Sequence, residues 1–191
     1  MSELLALPAF ANNDGAFHVV VESPRGSASK FKYDAELGVM TLARPLPAGL
    51  EYPHDWGFVP STRAADGDPL DVMIVWDVAS YPGIIIPCRA VGVLKVEQTN
   101  ASSGARERND RVVALPVDAP RWEAVRTVFD LSERVREELH QFFLAAVAFE
   151  GKELKVLGWA GPDEAMTLVH ESLIDSQRRS SEQEAMTHGR A

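Results

Sequence analysis

The hexapeptide Asp66-Gly67-Asp68-Pro69-Leu70-Asp71 stands directly before the apolar run Val72-Met73-Ile74-Val75-Trp76. The apolar run is typical of a buried β-strand, and the hexapeptide before it, here called the acidic turn, is rigid because glycine permits unusual backbone angles and proline fixes φ. Such a turn delivers three carboxylates to the end of a sheet. They repel one another unless protons, cations or strong donors intervene, and Mg²⁺ suits them because it binds oxygen ligands and keeps several waters. A plain solvated turn is the alternative that this stretch alone leaves open.

Composition narrows the class of protein. The chain has 191 residues, 46% hydrophobic and 25% charged, which fits one globular domain with a substantial core. Its net charge of −9 argues against nucleic acid or an anionic membrane as the main partner, although bound cations can admit an anionic substrate. Cys88 is the single cysteine, so an intrachain disulfide is excluded and the cytoplasm is the simplest expectation. No segment predicts a membrane span.

A hairpin with basic side chains precedes the acidic turn. Residues 29–34 alternate lysine with aromatic residues, which predicts a strand that places Lys30 and Lys32 on one side. Residues 39–43 predict the returning strand, which ends at Arg44. Converging arginine and lysine side chains bind phosphate well, although a solvated face is the alternative reading.

Two further segments flank this hairpin. Residues 17–22 are rich in β-branched residues and predict a strand that ends at Glu22. Residues 52–60 hold too much proline and glycine for a long regular element, and too many aromatic residues for a floppy loop. We expect a packed, irregular approach to the acidic turn, with the Tyr52 hydroxyl available inside the site.

Together these segments resemble a known family. The residues that carry the resemblance are Glu22, Lys30-Phe31-Lys32-Tyr33-Asp34, Arg44, Tyr52-Pro53-x-x-Trp56-Gly57-Phe58 and the acidic turn followed by Val72. They are similar to the soluble family I inorganic pyrophosphatases, and the acidic turn resembles that family's signature. The similarity continues through residues 88–94, 113–116 and 155–159, and covers about residues 17–175.

The expected fold is α+β and mainly β: a mostly antiparallel barrel related to the oligonucleotide-binding (OB) type, with two C-terminal helices packed outside. Long strands around residues 70–115 would close the barrel, among them those at 91–96 and 111–115, which a polar loop at about 98–110 joins. A short strand is expected at 152–157.

Helix and domain boundaries follow from capping residues and composition. Ser132 looks like the N-cap of one helix, and Pro162 opens the second. We expect a single pyrophosphatase-like domain over residues 1–178, followed by a disordered tail at 179–191.

The resemblance implies hydrolysis of inorganic pyrophosphate to two phosphates with Mg²⁺ as cofactor. Asp66 and Asp71 would bind the activating ions, Glu22 would assist a further metal, and Asp68 would be the general base on the attacking water. The implied substrate-binding residues are Lys30, Arg44, Tyr52, Trp56 and Arg111. The family also implies a homo-oligomer, commonly a hexamer in bacterial members.

The loop before residues 113–116 departs from the family pattern. Arg111 takes a lysine position, and Asn109 takes the position of a metal-binding aspartate. A one-residue irregularity would let Asp110 supply that carboxylate, and Glu97 could replace a second one in the same manner.

Substrate-binding positions depart as well. Trp56 stands where a second tyrosine is usual, and Lys32 replaces an acidic residue. In the helix after Ser132, a Tyr-Lys pair that grips phosphate aligns with Ala146-Val147, which cannot. The basic residues that could compensate are Arg89, Lys95, Arg106, Arg108 and Lys152. Losing one cationic contact in the transition state slows a reaction by about 10²–10³.

These departures leave two alternatives to pyrophosphate hydrolysis. The first is a hydrolase of another phosphoanhydride or of a phosphate ester, in which the altered phosphate grip admits a larger group. The second is a catalytically weak paralogue that binds phosphate or metal.

Overall fold

The computed structural model describes residues 4–11, 15–100 and 103–173, and the tail expected at 179–191 lies outside them. Sheet dominates. The strands within the described residues are β1 (Phe17–Ser23), β2 (Ser29–Asp34), β3 (Val39–Pro45), β4 (Asp55–Phe58), β5 (Asp71–Ile74), β6 (Ile85–Thr99), β7 (Arg106–Arg108), β8 (Arg111–Pro116) and β9 (Lys155–Ala160). Two helices follow the main strands: α1 spans Glu133–Ala146, and α2 covers residues 162–173.

Five strands close into a ring. The order is β1, β4, β5, β8 and β6, and β6 pairs again with β1. Every pairing in the ring is antiparallel except that of β5 with β8. The strands β7 and β9 add to β6, while β2 and β3 form a separate hairpin. The prediction of an α+β, mainly β fold with a closed and mostly antiparallel sheet is confirmed.

Several strand boundaries differ from the prediction. The strand β6 begins at Ile85 rather than at residue 91, because its first residues pair with β1 and the following ones with β8. Part of the expected polar loop is also strand, since Arg106–Arg108 pairs with the end of β6. The strand β9 starts three residues later than expected, at Lys155.

The segment 55–58 was expected to be irregular, and that was wrong. It forms β4, whose four residues are all buried between β1 and β5. Glycine is needed here for close packing rather than for a turn, because a Cβ on Gly57 would lie 2.0 Å from the Val20 carbonyl oxygen. The sequence signal that indicated a break in the chain instead reports a close approach of two backbones.

The two helices pack on different hydrophobic clusters. One contains Phe142 and Phe143 of α1 together with Met73 of β5. The other contains Val72 and Ile74 of β5, together with side chains of α2. Alternate residues of one strand thus serve opposite faces of the sheet.

The predicted start of α1 is confirmed, because the Ser132 side chain accepts a hydrogen bond from the backbone N–H of Val135 (3.3 Å). In the described ranges, neither helix has the length and apolar character that a membrane span requires.

Candidate active site

The acidic turn opens into a cavity of about 1330 Å³ between the β2–β3 hairpin, the ring and the end of α1. Charged side chains of both signs line it. The acidic ones are Glu22, Asp66, Asp68, Asp71 and Glu150, and the basic ones are Lys30, Lys32, Arg44, Arg63, Arg111 and Lys152. The cavity can therefore accept both cations and anions.

Backbone hydrogen bonds hold the acidic turn in shape. Gly67 has φ of 91°, a left-handed conformation that favours glycine, and its N–H donates to the Ala64 carbonyl oxygen at 3.0 Å. The Ala64 N–H donates in turn to the Asp68 carbonyl oxygen (2.8 Å), and the Asp68 N–H donates to Asp66 Oδ1 (3.2 Å). The carboxylates of the turn are therefore presented on a fixed backbone, and all three line the cavity.

Desolvation makes negative charge costly at this end of the sheet. It raises the pKa of Asp66 to about 6, and the nearby charge of Asp71 adds to the shift. It likewise raises the pKa of Asp71, against the opposing influence of Lys30 and Arg111. In Glu22 it raises the pKa to about 7, although the backbone N–H of Tyr33 donates to this carboxylate at 3.0 Å. Carboxylates with pKa values raised in this way need protons or a bound cation.

Two of the turn's carboxylates already have donors from the protein. Lys32 Nζ lies 2.7 Å from Asp68 Oδ2, and both side chains are about half exposed. The Asn109 amide Nδ2 donates to Asp66 Oδ2 at 2.7 Å. Both donors stand at positions where the family resemblance implies acidic residues, so this cavity carries less negative charge than the family pattern predicts.

The basic side chains across the cavity are only partly satisfied. Arg111 is buried, and its Nη1 donates to the Asn109 carbonyl oxygen at 2.8 Å. Its guanidinium lies 4.8 Å from the centre of the Phe143 ring. Burial lowers the pKa of Arg111, which the charges of Asp71 and Asp66 oppose. Burial also lowers the pKa of Lys30, whose charge Asp71 supports.

Two buried donors stand side by side without partners. Arg111 Nε and Trp56 Nε1 have no hydrogen-bond partner among the described residues. The two side chains are in contact, with the guanidinium carbon 5.9 Å from the Trp56 ring centre, and both line the cavity. Buried N–H groups are nearly always paired, so an acceptor for these two would come from an ordered water or from a side-chain movement that opens them to the cavity.

Tyr52 and Arg44 lie on the side of the cavity nearest α1. Tyr52 is buried and packs against Phe142 with ring centres 5.1 Å apart. Arg44 donates from Nη2 to the Ala146 carbonyl oxygen (2.9 Å) and forms an ion pair with Glu150. Tyr52 thus has a packing role, and Arg44 is anchored at the helix end.

Asp110 lies apart from this group. It lines a second cavity, of about 500 Å³, pairs with Arg108 at 2.6 Å and accepts from the Val96 N–H at 2.8 Å. Asn109 lines both cavities, and its amide reaches Asp66 in the main one. The assignment of a metal to Asp110 therefore remains a prediction that this placement does not favour.

Gln98 and Glu150 line the cavity although neither was singled out from the sequence. Gln98 was within reach of sequence reasoning, because alternation along β6 puts it on the side of buried Leu94 and Val96 rather than on that of Glu97. No sequence pattern marked Glu150.

The donor set fits Mg²⁺, although nothing here forms a closed metal cage. Within the described ranges, no three acidic, histidine or cysteine side chains converge closely enough to hold an ion by themselves. Mg²⁺ commonly takes only one or two carboxylates, with waters and substrate phosphates as its other ligands. Asp66 and Asp71, with their raised pKa values and oxygen donors facing one cavity, could supply such a partial site.

Comparisons with known proteins identify the relatives of this chain. The inorganic pyrophosphatase family model matches residues 19–177. An inorganic pyrophosphatase of Thermus thermophilus is 36% identical over 162 residues, which cover 83% of this chain and 89% of that protein. One of Synechocystis is 33% identical over 157 residues, 82% of this chain and 89% of that protein.

Solved structures show the same relationship. The crystal structure of the inorganic pyrophosphatase from Thermus thermophilus superposes with a TM-score of 0.84 at 33% identity, covering 92% of this chain and 99% of that one. An inorganic pyrophosphatase from Helicobacter pylori gives 0.80 at 30% identity, covering 88% and 97%. By sequence and by fold, the chain belongs to the inorganic pyrophosphatase family.

Proposed function

We propose that this chain hydrolyses inorganic pyrophosphate to two phosphates with Mg²⁺. The observation that carries the proposal is that the three carboxylates of the acidic turn line the same cavity as Lys30, Arg44 and Arg111. A polyanion bridged by cations to the acidic side and hydrogen-bonded to the basic side would satisfy both at once.

Mg²⁺ bound at Asp66 and Asp71 would lower the pKa of a water and neutralise phosphate charge. Asp68 is the proposed general base. Lys32 occupies its Oδ2, so Oδ1 is the oxygen that we assign to accept the proton of the attacking water. The water oxygen attacks one phosphorus, the bond from that phosphorus to the bridging oxygen breaks, and the second phosphate leaves with the electron pair.

The basic side chains of the cavity would hold the substrate in place. Lys30, Arg44 and Arg111 line the same cavity as the acidic turn and would bind the phosphate oxygens, with Trp56 beside Arg111. The positions of Arg111 and Arg44 are set before substrate arrives, by packing of Arg111 against Phe143 and by the hydrogen bond from Arg44 to α1. Preorganised donors of this kind stabilise the charge that develops in the transition state.

We further propose a cytoplasmic homo-oligomer. The exposed apolar residues Val78, Tyr81, Ile84 and Ile85 are close in sequence around the start of β6, and such surfaces commonly mark subunit contacts. Light scattering at several protein concentrations would measure the assembly, and a monomer at all of them would contradict the proposal.

Phosphate release from Mg²⁺-pyrophosphate tests the proposed activity, with ATP and a simple phosphomonoester as competing substrates. We expect release from pyrophosphate that stops in excess chelator, and loss of activity in Asp71→Ala. The control is Asp118→Asn, which changes an exposed aspartate outside the cavity. Faster release from either competing substrate would replace this function with the broader hydrolase reading.

A further inference from the structure

The wall of the cavity formed by the end of α1 lacks polar side chains. Ala146 is the last residue of the helix and Val147 caps it, and both line the cavity. Neither can donate a hydrogen bond or contribute charge, so a phosphate resting there needs a contact from elsewhere in the chain.

Five basic residues were candidates for that contact, and the structure distinguishes one of them from the other four. Lys152 lines the cavity. The other four are engaged with partners elsewhere: Arg89 with the Trp122 carbonyl oxygen (3.0 Å), Lys95 with Glu164 (3.2 Å), Arg106 with the Glu153 carbonyl oxygen (2.7 Å) and Arg108 with Asp110 (2.6 Å).

Local backbone geometry explains how Lys152 reaches the helix end. After α1 the Glu150 N–H donates to the Val147 carbonyl oxygen at 2.9 Å, which bends the chain back. Gly151 then adopts a φ of 66°, the left-handed conformation that reverses a chain after a helix. The next residue is Lys152, which therefore lies beside the apolar wall that it would complement.

Glu150 lies between Lys152 and Arg44 and pairs with both. Its carboxylate forms an ion pair with Arg44, and its Oε2 lies 3.5 Å from Lys152 Nζ. The side chains of Lys152 and Glu150 keep 32% and 23% of their exposure, whereas Glu150 Oε1, the oxygen that faces Arg44, is buried. A carboxylate between an arginine and a lysine occupies the place that a phosphate oxygen would take between the same two cations.

We propose that Lys152 is a phosphate-binding residue of this chain, and that Glu150 holds the phosphate position between Lys152 and Arg44 until substrate displaces it. The inference rests on the proposed pyrophosphatase function and adds a subsite to it. Lys152 lies near the end of α1 in the folded chain, and there it supplies the phosphate contact that Ala146 and Val147 cannot make. Glu150 reduces affinity for phosphate, because phosphate must compete with it for both cations.

Calorimetric binding of inorganic phosphate, without turnover, tests both residues. Lys152→Gln keeps most of the side-chain length and removes the charge, and Lys152→Arg keeps the charge. We expect Lys152→Gln to weaken phosphate binding about tenfold, Lys152→Arg to stay within about threefold of the parent, and Glu150→Gln to bind more tightly. Lys155→Gln, an exposed lysine three residues away, is the control for net charge.

Steady-state kinetics on pyrophosphate give the second readout. A residue that grips the bound phosphate should change KM about tenfold in Lys152→Gln while kcat changes less, whereas misfolding would lower kcat in both Lys152 variants. Equal phosphate binding in Lys152→Gln and Lys155→Gln would overturn the role of Lys152. Weaker binding in Glu150→Gln would overturn the role of Glu150. A parent that binds phosphate through Lys152 but releases none from pyrophosphate would refute the proposed function alone.

Discussion

Replacing Lys32 should make the free protein bind Mg²⁺ more tightly. The Lys32 ammonium lies 2.7 Å from Asp68 Oδ2, at the carboxylates that would attract the ion. A single and a double positive charge about 5 Å apart repel by about 1.7 kcal/mol at the dielectric constant of water. The water value applies because the side chains of Lys32 and Asp68 are 46% and 60% exposed. Lys32→Gln should therefore tighten binding by about twentyfold.

Two assays measure this effect. Calorimetry gives the Mg²⁺ affinity of the free protein, and phosphate release gives the Mg²⁺ concentration for half-maximal activity. Lys155→Gln removes the same charge from an exposed position in β9 and should change neither value by more than about twofold. Unchanged or weaker Mg²⁺ binding in Lys32→Gln would refute the reasoning, because it would show that Lys32 does not compete with the ion.

Three other changes have defined outcomes. Asn109→Asp should increase Mg²⁺ affinity in the same calorimetry, whereas Asp110→Asn should leave it unchanged; a selective loss in Asp110→Asn would return the metal to Asp110. Because the pKa of Glu22 is raised, the folded protein binds more protons than the unfolded chain between about pH 4.5 and 7. The Tm of the metal-free protein should therefore fall as the pH rises through that window, and Glu22→Gln should make this fall smaller. Gly57→Ala should destabilise the fold by about 3 kcal/mol in urea unfolding, because the new methyl group meets the Val20 carbonyl oxygen; an unchanged midpoint would contradict the close packing seen there.

The elements that the sequence predicted well are those with a local physical signal. Alternation of lysine with aromatic residues marked β2, and the Ser132 hydroxyl marked the start of α1. The grouping of the three carboxylates in the acidic turn could also be predicted without knowledge of tertiary contacts, because Gly67 and Pro69 determine the local shape of the turn. Such features depend on a few neighbouring residues.

The features that the sequence did not predict depend on distant contacts. Gly57 was interpreted as an interruption of regular structure, but it is there because β4 lies too close to β1 for a larger side chain. From the loop sequence, Asn109 and Asp110 were alternative positions for a residue of the site. Only the folded structure shows that Asn109 lines the main cavity and that Asp110 lines the second one alone. Glu150 and Lys152 become neighbours of Arg44 only when the chain reverses after α1, over a sequence separation of more than a hundred residues.

Steady-state hydrolysis of Mg²⁺-pyrophosphate by the parent and by Asp68→Asn tests the central claim most directly. The substitution keeps the size of the side chain and removes its capacity to accept a proton. We predict measurable kcat/KM in the parent and at least a hundredfold loss in Asp68→Asn, within the range that general base catalysis contributes. Equal rates of phosphate release from the two proteins would contradict the account and would favour a phosphate- or metal-binding paralogue.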